Sequence, residues 1–177
     1  MYFKKLIGSK CYLSPVNVND AEKFAEWLND QEVVDYLQNS AYVVTMDSQR
    51  KSIEQTSNEH QYAIVDLETN KLIGKTALLD VDHISQRAKI DIFIGDKDYW
   101  NKGYGREALN LLLDYAFRIL NLNNVMMSTY SFNNRAISCF GKVGFKHAGL
   151  LRNAIKRNLE YHNIVFMDIL PEDFYHN

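Results

Sequence analysis

Trp100-Asn101-Lys102-Gly103-Tyr104-Gly105-Arg106-Glu107-Ala108 holds the residues whose types and spacing point most directly to chemistry. Two glycines stand one residue apart where a helical pattern begins, with Ala108, Leu112, Tyr115, Ala116 and Ile119 recurring at helical spacing. Glycine lets the backbone come close to a ligand with no side chain in the way. The amides of a helix's first turn lack partners within the helix and carry the positive end of its dipole. Together these features make an anion site that suits a phosphate or pyrophosphate. Lys102 and Arg106 either add charge to it or form an ordinary solvated helix end.

The elements that must position this turn follow from the pattern around it. Upstream, Arg87 to Ile94 alternates and is β-rich until Gly95 breaks it. Before that, Cys11 to Val16 reads as a strand, and Asn19-Asp20 caps a helix carrying Ala21, Phe24, Ala25, Trp27 and Leu28. Gln31 to Leu37 reads as a short helical piece, and a further helix runs from near Asp47 to near Thr56 around Ile53. Tyr62–Asp66 and Leu72–Val81 form a hairpin across a Thr69-Asn70 turn, and His83 to Gln86 is the next turn. Downstream, Val125–Tyr130 is a strand and Asn133-Asn134 caps a helix through Val143. Phe145–Asn153 and Tyr161–Leu170 are two more strands, the second stopped by Pro171. Antiparallel strands with inserted helices and one strand-helix-strand crossover predict a single α+β, or mixed α/β, domain over residues 1–177.

Composition removes several function classes. The chain has 177 residues and a net charge of -2, with a pI near 6.2, so no basic field points to nucleic acid. Eleven Tyr, nine Phe and two Pro belong to an ordered globular chain. Cys11 and Cys139 have neither disulfide-framework nor metal spacing, which fits free thiols in a reducing, cytoplasmic compartment. The five histidines form no HExxH or His-x-His motif, so no metal is expected. No apolar run is long enough to span a bilayer, and Met1 to Ile7 is too short and too soon interrupted for a signal peptide.

Three readings compete for the turn. A bare tight turn without ligand is the plainest. A P-loop needs Gly-Lys-Ser/Thr, and here the lysine precedes the glycine. Gly103-x-Gly105-x-x-Ala108 matches a dinucleotide fingerprint in spacing. That fingerprint, however, follows its strand at once and needs an acid near the end of the next strand, which here ends Ser128-Thr129-Tyr130-Ser131. Joined to other segments, the turn resembles something else. Ile94 through Ala108, then Asn133-Asn134-Arg135-Ala136-Ile137 and Lys142-Val143-Gly144-Phe145, look like the acetyl-CoA signature of the GNAT N-acetyltransferases. Trp27-Leu28-Asn29-Asp30-x-Glu32-Val33 and Gly149-Leu150-Leu151-Arg152 are similar to the RimJ/RimL-type branch, whose founding members acetylate ribosomal proteins. The resemblance runs from Gly8 to Leu170.

The resemblance implies a central, mostly antiparallel twisted sheet, flanked by helices, in which two parallel strands splay apart (here Arg87–Ile94 and Val125–Tyr130). It implies acetyl-CoA as cosubstrate, with the pyrophosphate on the amides of Lys102, Gly103, Tyr104, Gly105 and Arg106. The pantetheine arm would pair with the Phe93-Ile94 backbone, with Asn133 on its other side and Phe140 packed against it. Asn133 also reads as a plain helix cap. A homodimer is compatible with this family.

Acetyl transfer to an amine needs an unprotonated nucleophile, charge stabilisation at the carbonyl oxygen, and a departing thiolate. Strand amides near Ile92 to Ile94 are candidates for the second need. Many relatives carry a glutamate on the strand before the turn, where this chain has Lys89. Asp91, two residues on and so on the same face, is the replacement base; as an ordinary strand carboxylate it would pair with Lys89 or Arg87. Asp80 and Asp82 are further carboxylates for a cationic substrate. The family's proton-donating tyrosine is Phe140 here, leaving Tyr130, Ser131, Ser138 and Cys139 as nearby substitutes, with Tyr130 and Ser138 preferred. A thiol of pKa about 8.5 leaves without an acid at a loss of roughly 10²–10⁴-fold.

The acceptor side is assigned to Trp27, Asn29, Asp30 and Arg152, with the segment from Val33 to Tyr42 and Tyr161-His162. Asp30, Glu32 and Asp35 favour a cationic acceptor, either a small-molecule amine or a protein amino terminus, unless they are a solvated helix face. The expected activity is N-acetylation of a primary amine by direct attack in a ternary complex. The alternative is a non-catalytic acyl-CoA-binding sensor, suggested by Lys89 and Phe140.

Overall fold

Strand-forming sequence alternates with amphipathic helical sequence, and the structure, a computed structural model describing residues 1–37, 41–56 and 60–176, turns that alternation into one mixed sheet flanked by helices. The strands are Leu6–Ile7 (β1), Cys11–Pro15 (β2), Gln61–Asp66 (β3), Leu72–Asp82 (β4), Arg87–Ile94 (β5), Asn124–Tyr130 (β6), Lys146–Arg157 (β7) and Glu160–Ile169 (β8). Their order is β1-β2-β3-β4-β5-β6-β8-β7, and β5 runs parallel to β6. The helices are Ala21–Leu28 (α1), Gln31–Val34 (α2), Met46–Gln55 (α3), Tyr104–Arg118 (α4), Asn134–Val143 (α5) and Pro171–Tyr175 (α6). Two short elements, β1 and α6, escape the sequence pattern because a few residues cannot display a period.

The chain forms two compact units, Met1–Leu79 with Asp91–Leu112, and Asp80–Ile90 with Leu113–Asn177. In the first, β2 pairs antiparallel with β3 from Cys11↔Asp66 to Pro15↔Tyr62, and β3 pairs antiparallel with β4. Its core joins Tyr12, Ala63, Val65 and Leu72 of the strands to Ala21, Phe24 and Trp27 of α1, Val33 of α2 and Ile53 of α3. Burying side chains of this size stabilises by about 1.5–3 kcal/mol each, which holds α1 to the sheet. The start of α1 differs from expectation. Asn17 caps a 3-10 turn over Val18–Asp20, and Asp20 turns its carboxylate back to the Asn17 N–H (3.0 Å) and the Tyr2 hydroxyl (2.7 Å). The next helix, α2, also stops at Val34 rather than Leu37. Thr45 caps α3, its hydroxyl taking the Ser48 N–H at 3.1 Å.

Two glycines set the path into the turn. A Cβ on Gly95 would collide with the Trp27 indole, and one on Gly74 would collide with the Phe93 carbonyl. The N–H groups of Gly95 and Asp96 both reach the Ile73 carbonyl, at 2.9 and 3.1 Å, as the chain leaves β5.

In the second unit, β5 runs parallel to β6 at Arg87↔Asn124, Ala88↔Val125 and Lys89↔Met126. From Val125↔Ile169 to Tyr130↔Ile164, β6 is antiparallel to β8, and β7 and β8 make a long hairpin with register shifts after His147 and Leu151. The hairpin extends past the expected Asn153 because Asn158 and Leu159, both at positive φ, place the reversal later. Buried Leu113, Ala116 and Phe117 of α4 belong to this unit, whereas Ile119 lies beyond the helix end and is 58% exposed, so it is not part of the apolar stripe. Gly144, at φ +113, ends α5 in the left-handed conformation that glycine adopts freely.

Candidate functional site

The glycine turn is built by the residues on either side of it. Asp96 caps a 3-10 turn over Lys97–Tyr99, and the Trp100 indole N–H donates to the Ile94 carbonyl at 2.7 Å. Asn101 and Gly103 then take positive φ (+59 and +87) before α4 begins. An exposed, left-handed residue at position 103 explains the glycine locally. A Cβ on Gly105 would meet only Ile94 Cγ1, at 3.9 Å, so this second glycine is not demanded by packing. Tyr104 is anchored from below: its hydroxyl donates to Asp66 Oδ2 at 2.7 Å, and its ring meets Tyr99 edge-on at 5.0 Å. The hydrogen bond to Asp66 pushes the Tyr104 phenol up to about 12, so it stays protonated. Burial works upward on Asp66, but hydrogen bonds from Thr69 and Tyr104 outweigh it and hold the carboxyl below its ordinary range. Lys102 and Arg106 are exposed beside the turn. An exposed glycine before a helix start, with two exposed cations beside it, is an arrangement that can take an anion.

Asp91 sits at the centre of β5. Its carboxylate takes the Ile92 N–H at 3.0 Å, and its carbonyl oxygen takes the Thr76 hydroxyl at 2.8 Å, from a threonine only 1% exposed. The residue is exposed on the strand. Desolvation raises its pKa against the Ile92 N–H and the charge of Lys75, which both act downward. The flanking cations of the strand are engaged elsewhere, Lys89 with Asp80 (2.8 Å) and Arg87 with Asp82 (3.8 Å). Asp82 also accepts the Ile84 and Ser85 N–H groups of the turn. The Ile92 amide, expected to face the reacting carbonyl, instead serves Asp91. Phe93 turns its ring toward Phe24 and Trp27, each 6.3 Å away.

Three of the residues expected around the acceptor have partners within their own unit. Trp27 is 4% exposed and packs in the core of its unit, where its indole size is needed to fill space beside Gly95. Asn29 ends α1 and clasps the chain before α3: its amide donates to Ala25 O (2.7 Å) and Val44 O (2.6 Å), and its oxygen takes the Val44 N–H (3.2 Å). Asp30 caps α2 through the Glu32 N–H and shares the Lys97 ammonium with Glu32, each at 2.8 Å. The Lys97 hydrogen bond holds the Asp30 carboxyl below its ordinary value, and the two carboxylates raise Lys97. Each of these three residues thus has a structural role in its unit. Of the segment from Val33 to Tyr42, residues 38–40 lie outside the described residues.

In the second unit, Asn133 is 6% exposed and caps α5: its oxygen takes the Ala136 N–H (3.1 Å) and its amide donates to Thr129 Oγ1 (3.2 Å). Tyr130, at the end of β6, is 4% exposed, stacked on Phe132 (5.2 Å) with the Arg157 guanidinium over its ring (5.9 Å). Ser131 accepts the Asn163 N–H. Phe140 is buried with its ring 6.0 Å from Phe145, whereas Ser138 is exposed on α5. Arg152 is exposed on β7, and His162 lies edge-on to Phe132 at 4.8 Å. Among the described residues, no cluster of metal-ligating side chains is found. Sequence reasoning missed Thr76, Lys10 and Glu107; the strand pairing that carries Thr76 to Asp91, and the turn that carries Lys10 to Glu107, leave no local signal.

Known proteins share this fold. Residues 10–146 match the family described as acetyltransferase (GNAT) domain. An uncharacterized N-acetyltransferase, p20, of Bacillus licheniformis is 26% identical over 176 residues, covering 96% of this chain and 97% of that protein. Spermidine N(1)-acetyltransferase of Vibrio cholerae is 29% identical over 116 residues, 66% of each chain. The solved structure of a spermidine N-acetyltransferase from Vibrio cholerae, in complex with CoA and spermine, superposes with a TM-score of 0.86 at 23% identity, over 95% of this chain and 99% of that one.

Proposed function

From the premise that the chain belongs to the acetyltransferase (GNAT) family, we propose that it acetylates a small-molecule primary amine by direct attack in a ternary complex, with Asp91 as general base. The chain is an acetyl-CoA-dependent N-acetyltransferase, and its acceptor is an amine. The spermidine enzymes among its relatives support a small polyamine-like acceptor.

The observation that carries the reading is the state of Asp91. It is exposed at the centre of β5, the strand's own cations are held by Asp80 and Asp82, and its pKa is shifted upward. A carboxylate with a raised pKa is a better match for a proton leaving an amine than one in water. Asp91 takes that proton as the new C–N bond forms and the C–S bond breaks. The amides of Lys102 through Arg106, with Gly103 and Gly105 leaving them accessible, hold the pyrophosphate of the cosubstrate, and the Phe93-Ile94 backbone and Asn133 orient its arm. Phe140 has no proton to give, so the sulfur departs as thiolate, assisted by Tyr130 or Ser138. Arg152 remains assigned to the acceptor side.

We take residues 1–177 as one catalytic domain, acting in the cytoplasm; no described helix is long and apolar enough to cross a membrane. A homodimer is the assembly we expect, with β7 at the sheet's outer edge and Leu150 and Leu151 about half exposed on it.

Replacing Asp91 tests the reading. Asp91→Asn should lower kcat by roughly 10²–10⁴-fold with little change in acetyl-CoA binding. In the wild type, activity should fall as pH drops through the pKa of Asp91, above the ordinary aspartate value of 3.8, because the base must be unprotonated. The variant should lack that limb. An unaltered pH–rate profile would retire Asp91 as base.

A further inference from the structure

The helix start carries Lys102 and Arg106, but a third cation reaches the same turn from 92 residues away. Lys10 closes the tight turn between β1 and β2, where the Gly8 N–H donates to the Cys11 carbonyl at 2.9 Å. Glu107, in the first turn of α4, fixes that turn in place. Its Oε1 takes the N–H groups of Lys10 (2.7 Å) and Cys11 (3.3 Å), and its Oε2 takes the Ser9 hydroxyl (3.1 Å). Gly8 is required for this approach, because a Cβ there would collide with Oε1. The carboxylate is thus satisfied by the turn and favoured by the helix dipole, and it joins residues 8–11 to the beginning of the helix.

The consequence is where the Lys10 side chain lands. Its Cε lies 4.0 Å from the position a Cβ on Gly103 would occupy. Its Nζ donates to the Lys102 carbonyl at 3.2 Å and stands 5.8 Å from the centre of the Tyr104 ring. An ammonium has three donors, and one hydrogen bond to a carbonyl does not exhaust them. The backbone clasp around Glu107 reduces the freedom of the lysine's base, leaving less to lose when its end meets an anion.

We infer that Lys10 is a phosphate-binding residue of the acetyl-CoA site, its ammonium taking a phosphate oxygen of the cosubstrate above the Gly103 turn. The inference rests on the reading that the phosphates lie at this turn, and the experiment separates the two.

Calorimetric titration of the whole chain with CoA, 3′-dephospho-CoA and pantetheine supplies the readout, for the wild type, Lys10→Met and Lys10→Arg. Equal thermal denaturation midpoints would certify that the variants fold. Lys10→Met should weaken CoA about 10-fold, as expected for losing a charge-assisted hydrogen bond, and Lys10→Arg should recover most of it. Added salt should weaken the wild type more than Lys10→Met, because one exposed charge contact is gone. If the loss disappears with 3′-dephospho-CoA, Lys10 serves the 3′-phosphate; if it persists, Lys10 serves the diphosphate. Either result upholds a phosphate role. CoA affinity within twofold of wild type in Lys10→Met, while the wild type still prefers CoA to pantetheine, overturns the assignment to Lys10 alone. A wild type that binds pantetheine as well as CoA overturns the placement of the phosphates, and Lys10 with it.

Discussion

The Gly103 turn and the Asp30–Glu32 segment are both clusters of charge near the surface, and the structure treats them differently. At the turn, Lys102 and Arg106 are exposed, and Gly103 takes φ +87 before a fifteen-residue helix, where the phosphates of the cosubstrate are proposed to bind. At the acidic segment, Asp30 and Glu32 close on Lys97, Asp30 caps α2, and neighbouring Asn29 clasps Val44. A backbone conformation of this kind can be read from two glycines and a helix. Side-chain charges, by contrast, have many possible partners, and only the fold says which partner each one meets.

The contrast can be broken most sharply at the glycine. Gly103→Glu places negative charge and bulk at the amides and forces a side chain into positive φ, so coenzyme A binding should fall below detection by calorimetry. Unchanged affinity would remove the phosphates from this turn. The acceptor side predicts the opposite pattern. Trp27→Ala should cost about 3–5 kcal/mol in stability, read by denaturant unfolding, because a buried indole leaves a cavity. A stable Trp27→Ala with a raised acceptor KM would return Trp27 to the substrate.

The smallest effect is expected at Asp30. Asp30→Asn should lower Tm slightly and leave acetyl-CoA affinity alone, since an exposed pair contributes little. Lys97 depresses the Asp30 pKa, so the pair's stabilisation is complete above the ordinary aspartate value of 3.8 and fades as pH falls through the lower folded value. The wild-type Tm should therefore drop toward that of Asp30→Asn in this acid range. A selective loss of affinity for a polyamine in Asp30→Asn would instead make the segment an acceptor site.

The parts legible in the sequence share a short range. The β5 strand was readable to its end residues because alternation stops at Gly95, and α5 because Asn133 and Gly144 mark its two ends. The glycine turn and the start of α4 were readable because both are encoded in consecutive residues. What stayed hidden depends on pairing between distant segments. Thr76 reaches Asp91 only because β4 and β5 are neighbours in the sheet, and Lys10 reaches Lys102 only because Glu107 binds a turn 97 residues earlier. Asn29 and Trp27 likewise have partners the sequence does not announce, Asn29 in Val44 and Trp27 in the space beside Gly95.

Direct attack on a small amine is tested most directly by initial rates of thiol release, with acetyl-CoA and the best acceptor from a panel of polyamines, amino sugars and amino-terminal peptides both varied. Intersecting double-reciprocal lines with a polyamine are the predicted result, and they require both substrates on the protein together. Parallel lines, or thiol release only with amino-terminal peptides, would contradict the account.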